Sequence, residues 1–232
     1  MTVLQEYSAQ NRAAKTAGIL YFLIIASSIL SMLIGPFKLM VPGDAAKTFA
    51  NISEHQLLFR GGIVYDLLMY TAVVALAISL YVVLKPVNRN LALLAMSWRI
   101  GEAILGGVAV LANLNILQLV DQSSIPTAFT PDQLEAMVGL LLGANAAAIS
   151  VVFVFLSLGS ILFCYLFLRS GYIPKGLAWF GLLAFALTLV GTLVGVIVPN
   201  NLTMLFGTPA ILFELTIGLW LWVKGIRLEP AS

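Results

Sequence analysis

The chain has 232 residues, 61% of them hydrophobic and 9% charged, with a net charge of +2 and a mean hydropathy of +1.03. Soluble domains carry about 45–50% apolar and about 25% charged residues, so this composition suits a lipid solvent and not a water-exposed globule. So small a net charge excludes an electrostatic nucleic-acid footprint, and the single cysteine, Cys164, excludes a disulfide framework.

Met1 to Thr16 is polar, with Arg12 and Lys15 just ahead of the first apolar run. The run from Ala17 to Gly35 is long for a signal-peptide core and no A-x-A site follows it, so it reads as an uncleaved first span at about 14–38. Pro42 and Gly43 then break the helix, and Asp44 is placed as an N-cap. Ala45, Phe49 and Ile52 recur at i, i+4, i+7, the pattern of a short interfacial helix in the first outer loop. The second span covers about 57–84 and ends at the polar turn 85–90; the third covers about 91–120, followed by a loop at 121–130. Thr130-Pro131-Asp132-Gln133 places Thr at the N-cap, Pro at N1 and Gln at N3. The fourth helix then runs over about 132–168, more than a bilayer needs, so its first two turns are expected to stand in water. A tight turn at 169–175, a fifth span at about 176–198, the turn Pro199-Asn200-Asn201 and a sixth span at about 206–223 complete the chain. The fold expected is all-α: an integral membrane six-helix bundle forming a single domain over 1–232.

Six spans return both termini to one side. That side carries Arg12, Lys15, Lys85, Arg89, Arg169, Lys175, Lys224 and Arg227, whereas the other carries Lys38, Lys47 and Arg60. Basic residues accumulate on the cytoplasmic side of membrane proteins. Both termini are therefore expected in the cytoplasm of a bacterium, with the chain in the inner membrane and the lipid bilayer as its main partner.

The third span contains Ser97-Trp98-Arg99-Ile100-Gly101-Glu102, an ionisable pair in an apolar run. Arg99 and Glu102 are i,i+3 neighbours on one helix face, and that face continues as Ala95, Arg99, Glu102, Gly106, Asn113. At about 1.5 Å per residue and a core about 30 Å thick, Asp66, Glu102, Asn145 and Glu214 all fall near mid-membrane. Charges at that depth are costly and face protein or a water-filled cavity. Glu214 shares its face with Gly207, Ala210 and Gly218, small residues that allow close packing; Asp66 shares its face with Gly62, Tyr70, Val73 and Ala77. Three acids against Arg99 leave an excess of acid, to be paired or neutral. The candidate cavity residues are Asp66, Tyr70, Arg99, Glu102, Asn113, Asn145 and Glu214. Each has a plainer role open to it, an ion-pair and hydrogen-bond network that fixes helix order; for Asn145 that plainer role is the favoured one.

His55 is the only histidine and sits in a loop, so a histidine-rich zinc site is not available. Cys164 has no histidine in its own span to activate it. Gly101, Gly106-Gly107 and Gly191-x-x-x-Gly195 are close-packing signals, not phosphate loops. No metal and no cofactor is expected.

Three segments carry a resemblance: Phe59-Arg60-Gly61-Gly62-Ile63-Val64-Tyr65-Asp66, Trp98-Arg99-Ile100-Gly101-Glu102-Ala103, and Arg169-Ser170-Gly171-Tyr172-Ile173-Pro174-Lys175-Gly176-Leu177. Together they resemble the bacterial membrane family catalogued as domain of unknown function 4386. The resemblance implies a polytopic bacterial membrane protein and supplies no activity, substrate or catalytic residue. Three functions stay open on the residues alone. The first is binding or transport of a small or lipid-like molecule through a charged mid-membrane cavity. The second is an intramembrane enzyme using a buried carboxyl as general acid or base on a lipid-like substrate. The third is a structural or accessory subunit.

Overall fold

In the computed structural model of the protein, residues 3–121, 129–198 and 202–227 are described. The expected loop at 121–130 and the turn at Pro199-Asn200-Asn201 fall largely outside them. The described residues are all helical or connecting, with no strand among them. The helices are α1 (Val3–Ile34), α2 (Pro36–Leu39), α3 (Ala45–Glu54), α4 (Gln56–Leu84), α5 (Arg89–Val120), α6 (Pro131–Ser170), α7 (Lys175–Ile197) and α8 (Leu202–Val223). Six of them are long and apolar enough to cross a membrane.

The largest departure from the sequence reading is at the first helix. It begins at Val3, about eleven residues before the expected start, and stops at Ile34, not near 38. The polar N-terminal segment holds neither proline nor glycine, so nothing in it opposes helix. It is also used: Gln10 Nε2 donates to Val83 O at 2.6 Å and lies 3.2 Å from the Tyr172 hydroxyl. At the other end Pro36 lacks an N–H and disfavours helical backbone at Gly35, so the chain breaks and restarts as α2.

The chain divides into two compact units. The first comprises Met1–Ile25, Thr71–Ala103 and Ser150–Ser232; the second comprises Ala26–Tyr70 and Ile104–Ile149.

In the first unit α7 packs on α8. The buried side of α7 is Ala178, Gly181, Ala184, Phe185, Thr188, Gly191 and Thr192, whereas Leu183, Val190 and Leu193 are exposed. Small residues inward and large apolar residues outward is the arrangement of a helix solvated by lipid, where close backbone approach drives association. Pro209 lies inside α8, further from the helix start than the expected boundary at 206 placed it. Thr188 Oγ1 is within hydrogen-bonding distance of both Ala184 O (2.9 Å) and Phe206 O (3.1 Å), and it offers its one proton between them. The turn before α7 is equally specific. Gly171 has φ +67°, Ile173 is buried, and Tyr172 O accepts from Arg227 N at 2.9 Å.

In the second unit the interfacial helix is tied to the chain before it. Asp44 caps α3 by accepting from Lys47 N at 2.8 Å, and Asn51 Nδ2 donates to Leu39 O at 3.1 Å. At the start of α6, Gln133 N donates to Thr130 Oγ1 at 3.3 Å while Thr130 N donates to Gln133 Oε1 at 2.8 Å, the reciprocal capping box read from the sequence. Gly35 and Gly62 meet backbone to backbone, leaving no room for a Cβ on either.

Candidate functional site

Arg99 and Glu102 lie in the part of α5 that belongs to the first unit, facing residues 155–160 of α6. Their i,i+3 spacing brings Arg99 Nη1 to 2.9 Å from Glu102 Oε2, with side chains only 2% and 6% exposed. Arg99 Nη1 also donates to Ser160 Oγ at 3.4 Å. The α6 surface is shaped for the arginine. A Cβ on Gly159 would stand 2.8 Å from Arg99 Cγ and 3.1 Å from Ala95 O, so only glycine leaves space for the stem. One turn earlier, Phe155 fills the notch at Gly101 and stacks edge-on against Trp98 with centroids 4.9 Å apart.

The pair is incompletely satisfied. The guanidinium is close to Glu102 Oε2 but not aligned with it as a hydrogen bond, and no other donor among the described residues reaches that oxygen. Ser157 Oγ, on the helix turn before Ser160, is also buried without a partner among them. Buried polar atoms normally find hydrogen-bond partners, and here one carboxylate oxygen is held by charge alone and one hydroxyl by neither charge nor hydrogen bond among the described residues.

Glu214 on α8 is partly buried and lies within electrostatic range of Arg99 and Glu102. Tyr21 on α1 and Cys164 on α6 lie within the same field. One carboxylate thus pairs with the guanidinium and a second lies within its electrostatic range. Of the small residues on the Glu214 face, Gly218 packs on α1, where a Cβ would meet Tyr21 Cβ at 3.0 Å, and Ala210 is buried. Gly207 has open space and takes no part in close packing.

The other four candidates lie in the second unit. Asp66 is partly buried and hydrogen-bonded with Ser31. Tyr70 lays its ring against the bare backbone of Gly106. Asn145 Nδ2 donates to Ala109 O at 3.0 Å and to Asn113 Oδ1 at 3.2 Å, the interhelical amide bonding favoured for it on sequence grounds. These four make packing and helix-to-helix contacts.

Sequence reasoning missed Ser157, Gly159, Ser160 and Tyr21. A signal existed for the first three: Ser157 and Ser160 are i,i+3 neighbours in an apolar run, with a glycine between them. Tyr21 sits among apolar residues with nothing to distinguish it. Among the described residues no cluster of three or more His, Cys, Asp or Glu side chains is placed to hold a metal ion.

No curated protein and no solved structure matches the chain. A family model described as Domain of unknown function (DUF4386) matches residues 16–225, nearly the whole length, from within the first apolar helix to the end of the sixth, and the chain belongs to that family.

Proposed function

We propose that this multi-pass membrane protein binds or moves a small or lipid-like molecule at the Arg99–Glu102–Glu214 cluster, in the inner membrane of a bacterium with both termini cytoplasmic. The observation that carries the reading is a buried Arg99–Glu102 ion pair whose contact is not aligned as a hydrogen bond. A charge pair that only ordered helices would gain from full satisfaction, because a half-satisfied buried network is worse than an apolar one. A carboxylate oxygen has a second lone pair and a guanidinium has further N–H groups, so the pair offers a ligand both a hydrogen-bond acceptor and an anion partner.

The test separates binding from helix ordering. Glu102→Gln leaves Arg99 without its charge partner, and breaking a buried pair costs about 3–5 kcal/mol, so the variant should melt lower in detergent. The double change Arg99→Met with Glu102→Leu removes both charges and should regain stability. Wild-type protein extracted in mild detergent should retain non-covalent small molecules or lipids by native mass spectrometry, and the stable double variant should carry one bound molecule fewer. A double variant that carries the same bound molecules in the same number would overturn the proposal, and so would a wild type that carries none.

A further inference from the structure

Within the second unit, the N-terminal end of α4 and the C-terminal end of α5 enclose a half-open pocket of about 300 Å³. Arg60, Gln118 and Asp121 make its polar side; Leu114 and Leu117 make its apolar side. Asp121 follows the last residue of α5, so Leu117 and Leu114 sit about one and two turns deeper, the latter about 10 Å along the axis at 1.5 Å per residue. The pocket therefore runs from a helix end into the first part of the hydrocarbon layer.

Its charges are arranged side by side. Arg60 Nη2 and Asp121 Oδ2 are 3.9 Å apart, with side chains 50% and 38% exposed. That is longer than a hydrogen bond, and both side chains are accessible from outside. A surface pair at this distance contributes little to folding. Opposite charges beside an apolar wall match a ligand with the same order: an anion next to a cation, and a tail.

We propose that this pocket binds the headgroup of a zwitterionic phospholipid bearing a primary ammonium, phosphatidylethanolamine. The phosphate lies on the Arg60 guanidinium, whose planar fork suits phosphate oxygens. The ammonium donates to the Asp121 carboxylate, Gln118 supplies a further amide, and the first methylenes of the tail cover Leu114 and Leu117. A trimethylammonium headgroup has no N–H to donate to Asp121. An anionic glycerol headgroup carries no cation to set against it. The site is separate from the Arg99 cluster and stands or falls without it.

The experiment is a titration of the purified full-length chain in detergent with phosphatidylethanolamine, phosphatidylcholine and phosphatidylglycerol of identical acyl chains, read by native mass spectrometry. Phosphatidylethanolamine should bind about three- to tenfold tighter than either of the others, the scale of one partly exposed charge-assisted hydrogen bond. Asp121→Asn should bring phosphatidylethanolamine down to the phosphatidylcholine level and leave phosphatidylcholine unchanged. Arg60→Gln should weaken both, and Leu114→Trp, which fills the pocket while keeping both charges, should weaken all three. Equal affinity of the wild type for the three lipids would overturn the proposal without recourse to any variant. Tighter binding of phosphatidylglycerol, or an Asp121→Asn variant with an unchanged preference, would do the same.

Discussion

Two adjacent glycines show how little separates a structural residue from a neutral one. Gly106 and Gly107 occupy successive positions of α5, and only Gly106 falls on the face that carries Arg99 and Glu102. In the fold, a Cβ on Gly106 would run into the Tyr70 ring, whereas a Cβ on Gly107 meets nothing within 4 Å. Gly106→Ala should therefore cost about 1–3 kcal/mol by overpacking. Gly107→Ala should be neutral or stabilise by up to about 1 kcal/mol, since alanine loses less backbone entropy in a helix. Melting temperatures of the two variants in one detergent decide the point, and equal shifts would mean that Tyr70 does not occupy the Gly106 notch. The same contrast limits reading of the charged cluster. Arg99 with Glu102 is legible because charges at i,i+3 in an apolar run have a local cause. Gly159 and Ser160 act across sixty residues of chain, and their role emerges only when α6 is laid against α5.

Elements were legible where their ends carry chemistry. Asp44 and the Thr130–Gln133 box start α3 and α6 where the sequence placed them, because capping is local: a side-chain oxygen accepts from a backbone N–H three residues on. The start of α1 was not legible, because Val3–Lys15 lacks a breaker and its helical state depends on partners such as Val83 O and Tyr172, remote in sequence. The break at Gly35-Pro36 fell earlier than the hydropathy boundary for the opposite reason, a local stereochemical rule overriding an apolar run. The capping box yields a direct prediction. Thr130→Ala removes the acceptor for Gln133 N and should cost about 0.5–2 kcal/mol at the first turn. Amide exchange over 132–136 should quicken relative to wild type while the middle of α6 is unaffected. Unchanged exchange there would show that the reciprocal bonds do not hold the turn.

At the scale of the whole molecule, span count is the firmest reading, because about twenty apolar residues per crossing is a requirement of bilayer thickness and not of any particular contact. Six apolar helices occur where the sequence placed six spans. The division into two compact units was not legible: it depends on which stretches of each helix pack together, and hydropathy is uniform along them. Orientation rests on a different physical effect, the retention of basic residues on the cytoplasmic side during insertion. Eight Lys and Arg residues flank the spans on the side of the termini and three flank them on the other, and in the second set Lys38, Lys47 and Arg60 are interspersed with Asp44, Glu54 and Asp121. The short lengths of these segments put them in the range where such a bias decides orientation. A green fluorescent fusion at the C-terminus should therefore be bright, and an alkaline phosphatase fusion at the same point inactive. A phosphatase fusion truncated after Glu54, beyond one span, should be active, because α3 would then lie outside. The pattern reversed at both points would place the termini outside and turn the Arg60–Asp121 pocket toward the cytoplasmic leaflet. Activity at both points would instead contradict the odd number of crossings that six spans place after Glu54.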